Sequence, residues 1–177
     1  MTQMRILFKA PWGVRLWLIT GLCTMALLTI AIIPIVNPEA AEIRPPYQLI
    51  PAIGMALVFV LCIPFMVTSY ELKEGELIIQ RVGWANRIPF GDIRSAWHDP
   101  SALSWAIKRF GNDGFLAMHG TFRNKKLGKF RAFVTDGKRA VVLDLIDRTI
   151  VISPDDPNEF LQSLQNHFAK NILRDRI

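Results

Sequence analysis

Residues 16–36 read LWLITGLCTMALLTIAIIPIV, 21 residues without a charged side chain. At 1.5 Å per residue, a helix of this length spans about 30 Å, the hydrocarbon thickness of a bilayer. A second uncharged stretch of 21 residues follows at 47–67. The ten residues between them, 37–46 (NPEAAEIRPP), are polar and proline-rich and suit a turn-back. The pattern predicts a two-helix transmembrane hairpin with spans at 16–36 and 47–67, and the rest of the chain hangs from it.

Charge orients the hairpin. Arg5, Lys9 and Arg15 precede the first span, Lys73, Arg81 and Arg87 follow the second, and the loop holds only Arg44 beside Glu39 and Glu42. That asymmetry places both termini in the cytoplasm, with Trp12 and Trp17 at headgroup level. A cleaved signal peptide is the rival reading. It fits poorly, because the apolar run exceeds the usual length of about 7–15 residues and no A-x-A site follows. Neither span contains Asp, Glu, Lys, Arg or His, and Pro34, Pro51 and Pro64 fall near the span ends. An anchor is expected, not an ion path. The expected address is the inner (cytoplasmic) membrane, as a multi-pass protein. Cys23 and Cys62 both lie in the spans, so the remainder has no disulfide framework and no Cys-ligated zinc.

Residues 68–177 are 110 in number, enough for one small domain. They hold 17 Lys and Arg against 13 Asp and Glu, a balance short of nucleic-acid binding. From residue 68 the apolar period changes to two. Tyr70 and Leu72, a turn at Glu74-Gly75, then Leu77 and Ile79 predict a β-hairpin. A short strand fits 86–90. Asp99-Pro100 then opens a predicted short helix with Leu103, Ile107 and Phe110 on one face, ended by Gly111-Asn112-Asp113-Gly114. Strands are expected at 115–122, 130–135, 139–145 and 149–152. Phe130, Ala132 and Val134 share one face, as do Val141, Leu143 and Leu145, which suits sheets with one buried face. Asp156-Pro157-Asn158-Glu159 supplies the cap of a closing helix whose stripe is Phe160, Leu161, Leu164 and Phe168. Residues 171–177 are expected to fray.

About seven antiparallel strands closed by a C-terminal helix resemble a pleckstrin-homology (PH) fold, a partly open barrel or sandwich. The details resemble bacterial PH-like domains of membrane proteins with two N-terminal spans. The resemblance rests on Tyr70, Leu72, Leu77 and Ile79, on Ile88-Pro89-Phe90 with Asp92-Ile93, on Gly120-x-Phe122, and on 152–157 leading to Phe160. It covers about residues 68–169 and gives a domain at 68–170 behind a flank and hairpin at 1–67. It implies a binding or scaffold module. The basic pattern with which many PH domains grip phosphoinositides lacks its middle member here, since Lys73 is followed by Ile79-Gln80-Arg81.

His98, His119 and His167 are widely spaced, and no H-E-x-x-H, G-x-S-x-G or phosphate-loop pattern occurs. No catalytic residue, metal or cofactor is therefore expected, and only a polar pocket around His98 and His119 would favour an enzyme. The strongest feature is electrostatic. Between Thr121 and Arg139 stand seven basic residues against Asp136 alone. Arg123, Lys125, Lys126, Lys129 and Arg131 are the candidate contacts for anionic lipid headgroups or an acidic protein partner; a turn merely kept soluble by lysines is the plain alternative. Trp97, Trp105 and Phe110, with Phe115 beside them, are candidates for a protein interface, with core filling as their plain reading. The expected function is binding at the cytoplasmic membrane surface. An accessory subunit or assembly factor acting through its hairpin is the alternative, and the oligomeric state is open.

Overall fold

Where the apolar period shifts at Val67, the chain enters a four-stranded antiparallel sheet in order β1-β2-β3-β4. The computed structural model describes residues 5–37, 47, 50–73 and 75–174, side chains excepted at 34, 112–115 and 167–174. β2 (Val67–Lys73), β3 (Glu76–Arg81) and β4 (Ala85–Pro89) are the expected hairpin and its neighbour. Gly75, at φ +84°, makes the turn that glycine tolerates and other residues resist; Glu74 lies outside the described residues.

β1 (Ile6–Lys9) corrects the expectation for the N-terminal flank, because it pairs antiparallel with β2, Ile6 opposite Leu72 and Lys9 opposite Ser69. Arg5 meets the buried Glu71 carboxylate at 2.7 Å, and the Phe8 ring packs edge-on against Phe160 at 5.3 Å. The domain therefore recruits residues from before the first apolar run, and a boundary at 68 cuts its first sheet.

That run forms α1 (Val14–Val36), long and apolar enough to cross a membrane. It starts directly on the domain: Gly13 N–H donates to Thr135 O at 3.0 Å, and Thr20 Oγ1 accepts from Leu116 N–H at 3.0 Å. The second run gives only α2 (Ile50–Cys62), 13 residues, and a 3-10 turn at Ile63–Phe65 before β2 begins at Val67. Among the described residues α1 is the one helix that meets the length criterion. The loop at 38–46 lies outside them.

The second sheet has the order β5-β9-β10-β8-β7-β6, with β5 (Ile93–His98), β6 (Ile107–Phe115), β7 (Ala117–Asn124), β8 (Gly128–Val134), β9 (Val141–Leu145) and β10 (Thr149–Ile152). β10 runs parallel to β8, so the sheet is not wholly antiparallel as expected. β5 pairs directly with β9. Residues 99–140 are thus an excursion that leaves the sheet and rejoins it through the β8–β10 pairing.

The helix expected after Asp99 is absent. Ser101 N–H and Oγ both bond Asp99 Oδ1, making a local turn, and Trp105 takes φ +55°, which no helix accommodates. Ile107 and Phe110 sit on a strand instead. Nor is Gly111 a stop signal. It lies opposite Gly120 across β6–β7, both at positive φ, and a Cβ on either would meet backbone oxygen at 2.2 Å. The glycines permit a close backbone approach within the hairpin.

One core lies between the sheets under α3 (Pro157–Arg174), with Tyr70, Leu77, Ile79, Leu143, Phe160 and Leu164 buried. A second lies behind the larger sheet, where Ala102 meets Phe122, Phe130, Ala132, Val142 and Val151. Its central strands are therefore buried on both faces, not one. Val141 and Leu143 point to the first core, while Phe130, Ala132 and Val134 point to the second. Asp156 Oδ1 caps α3, accepting from the Asn158 and Glu159 amides. The helix continues to Arg174 through part of the segment expected to fray; the Phe168 side chain lies outside the described residues.

The Tyr70 hydroxyl joins the layers. It donates to Phe133 O at 2.7 Å and accepts from Ser153 N–H at 3.1 Å, and Ser153 Oγ accepts from Thr135 N–H at 2.9 Å. Burial pushes its pKa up to about 12, so it stays a neutral donor. Tyr70→Phe should cost about 1–3 kcal/mol, because buried partners lose their bonds. Leu164→Ala should cost about 2–5 kcal/mol. Denaturant unfolding of the full chain in micelles checks both; an unchanged midpoint for Leu164→Ala would make α3 peripheral.

Candidate functional site

The excursion 99–140 carries nine basic residues against three acids, a balance of +6 equal to the formal net charge of the whole chain. The structure divides this charge among three places. At the β7–β8 turn, Asn124 Oδ1 accepts from Leu127 N–H at 2.7 Å, Asn124 Nδ2 donates to Ala102 O at 2.8 Å, and Gly128 at φ +65° closes the turn. The turn is thereby fastened to the segment that follows Asp99.

Lys126 belongs to that fastening. Its ammonium lies 2.6 Å from the buried Asp99 carboxylate and 3.1 Å from Ser101 Oγ. Burial alone would raise the Asp99 pKa, but hydrogen bonds from Lys126 and Ser101 outweigh it and hold the carboxyl below its usual range. Lys126 is thus an anchor before it is a contact.

Arg123 and Lys125 are exposed and have no ion pair among the described residues. They line a concavity of about 800 Å³ with Ser101, Ser104, Trp105 and Ile107. Trp105 is 96% exposed and Ile107 74% exposed. An indole held out by a left-handed backbone beside two free cations is a feature with no role in the core. Phe110, 81% exposed, lies farther along the same edge strand, so core filling does not describe these residues.

The remaining candidates lie elsewhere. Lys129 and Arg131 line a separate hollow of about 490 Å³ with Thr121, Asp147 and Arg148. Trp97 stands on β5, the opposite edge strand from β6, and is only partly exposed. His98 Nε2 lies 3.3 Å from Lys138 O, whereas the His119 ring stacks on Phe65 at 4.8 Å. The two histidines therefore occupy different surroundings. Among the described residues, no group of three or more His, Cys, Asp or Glu side chains is placed to hold a metal ion; His167's side chain lies outside them. Sequence reading missed Lys108 and Arg109, because it placed them on a helix; both are exposed on β6.

Position within the sheet separates the cationic turn from the helices. Gly13 bonds at Thr135 and Thr20 at Leu116, while Phe65, at the end of the second apolar run, stacks on His119. All three attachments fall at one end of β7–β8. The Asn124–Gly128 pair is six register steps from the Met118–Val134 pair, about 20 Å along the strands.

The lowered Asp99 pKa gives a signed expectation. Its carboxylate stabilises the fold above the ordinary carboxylate range, and that contribution fades as pH falls through the lowered value. Lys126→Met should cost about 1–3 kcal/mol at neutral pH, with the gap to wild type closing in acid. Lys125→Met should stay within about 0.5 kcal/mol. Denaturant melts at two pH values distinguish them, and equal losses would remove Lys126 from its anchoring role.

A family model described as a bacterial PH domain matches residues 68–168. No curated protein and no solved structure matches the chain. The matched span runs from the second residue of β2 into α3 and takes in the larger sheet whole, so the two-layered β domain with its closing helix belongs to the bacterial PH domain family.

Proposed function

We propose that this protein is a membrane-anchored PH module that binds an acidic protein segment at the far end of its larger sheet. The observation that carries the reading is the concavity where Arg123 and Lys125 face the exposed Trp105 and Ile107. Aromatic anchors ringed by unpaired cations suit a partner with acidic and apolar residues. An anionic bilayer would use the cations equally well. The turn's distance from the helix attachments favours the protein.

The anchoring half rests on parity. β1 precedes α1 and β2 follows α2, yet the two strands pair residue by residue. A chain that crosses a membrane through α1 must recross before Val67 for that pairing to form, and 47–67 is the apolar stretch available. α2 is short for a full crossing, so the return span would draw on flanking residues of that run. With the outer flanks more basic than the loop, the module and both termini lie in the cytoplasm. The accessory-subunit reading differs in making the hairpin, not the module, the contact.

Photo-crosslinking in cells from position 105 tests the surface. Position 105 should yield a protein adduct that is lost in Arg123→Glu/Lys125→Glu, while position 97 yields none. Lipid adducts at 105 would replace the protein partner with the bilayer, and adducts confined to α1 would favour the accessory subunit. For topology, an alkaline phosphatase fusion after Ile177 should be inactive; an active one overturns the cytoplasmic address.

A further inference from the structure

At the other end of the larger sheet, Arg81 closes β3 in an unusual setting. It is buried, at 9% exposure, and its Nε is sealed from solvent without a hydrogen-bond partner. Its guanidinium lies 4.5 Å from the Phe133 ring centre and 5.3 Å from that of Trp84. Arg131 reaches the same Phe133 ring at 5.4 Å. His119 is the cross-strand partner of Phe133, and its Nδ1 is also buried and unpartnered.

No carboxylate among the described residues pairs with either arginine. Glu71, on the neighbouring strand, is held by Arg5 at 2.7 Å and approached by Gln80 Nε2 at 3.5 Å. Asp147 lines the hollow beside Arg131 but sits 3.8 Å from Arg148. Two cations on one phenyl ring repel, and ring contacts offset only part of the cost of burying a guanidinium. Burial first, then Arg131, lowers Arg81's pKa to about 10. Burial first, then Arg81, lowers His119's to about 4. The corner has several nitrogen groups and no anion.

We propose that Arg81, Arg131 and the His119 ring form an oxyanion site that takes a phosphate or phosphodiester group. A guanidinium fork offers the paired donors that phosphate oxygens accept, and an oxyanion between the two arginines turns their repulsion into attraction. The His119 ring supplies a further donor. The site is distinct from the Lys73 end of the β2–β3 hairpin, since Lys73 and Arg81 stand at opposite ends of it. It also lies where the second apolar run enters the domain: Gly83 N–H bonds Pro64 O and Val82 N–H bonds Met66 O, both at 3.1 Å, and Val82 and Trp84 are exposed beside it. A lipid phosphodiester would meet it from the bilayer and inorganic phosphate from solution. The inference is independent of the acidic-partner reading, which concerns the opposite end of β7.

The test uses the full chain in maltoside micelles with ring-labelled histidine, following the His119 signal at constant pH. Inorganic phosphate, phosphatidylglycerol and a phosphate-free glycolipid are added separately. A saturable shift of His119 with phosphate assigns a soluble ligand, and one with phosphatidylglycerol alone assigns the lipid. Arg131→Gln, an exposed change, should weaken the response about tenfold or more, and Arg81→Lys should abolish it. A His119 signal unmoved by both phosphate sources overturns the proposal. So does an equal response to the glycolipid, or wild-type affinity in Arg131→Gln.

Discussion

The Tyr70 hydroxyl is the point through which the two layers become one body. It bonds Phe133 O and the Ser153 amide, and through Ser153 Oγ it fixes the end of β8 at Thr135. The Thr135 carbonyl in turn receives Gly13 N–H, the residue before α1. One buried phenol thus links the first strand after the apolar runs, the larger sheet and the origin of the long apolar helix. Neutral hydrogen bonds of this kind contribute little each, but leaving their partners unmade in a dry core is costly. Burial that keeps the phenol protonated makes the link insensitive to pH across the physiological range.

From that junction the excursion 99–140 extends as a lever with two unlike ends. The near end receives α1 and the strap at Ile63–Phe65; the far end, clear of both, carries unpaired positive charge beside exposed apolar side chains. The second core behind the sheet makes the lever stiff, since Ala102, Phe122, Phe130 and Val142 pack there. Lys126 and Asp99 pin the far turn to the same packing. Charge displayed on a rigid support confers specificity more readily than charge on a mobile loop, because less ordering is needed on binding.

What was legible in the sequence was local. The alternation around Tyr70 and Ile79, the Asp156 cap and the strand at Thr149–Ile152 all express constraints between near neighbours. β1 was hidden because it is four residues long and its partner follows both apolar runs. β6 was misread because Leu103, Ile107 and Phe110 fit a helical period by coincidence, and because Gly111 answers to Gly120 across the hairpin instead of to a turn. The basic run was plain as a sum of charges. Its division was not, since Lys126 is claimed by a carboxylate 27 positions earlier and Arg131 lines a different hollow from Arg123. Spacing along the chain carries no information about such pairings.

The place of β1 has a consequence for biosynthesis. A ribosome releases residues 6–9 before the apolar runs and their partner strand only after both have emerged. Until then the strand waits with an open edge, and Phe8 lacks Phe160, which is made later still. If the apolar runs span a membrane as proposed, completion of the first sheet would report that the chain has returned to the side on which β1 lies. A chain inserted with the wrong number of crossings would strand β1 on the far side, leaving β2 paired with β3 alone and the buried Glu71 carboxylate without Arg5. Such a molecule would present an open edge and a buried lone charge, features that quality-control proteases can read. In the proposed topology, the four-residue strand would act as a built-in inspection of membrane insertion.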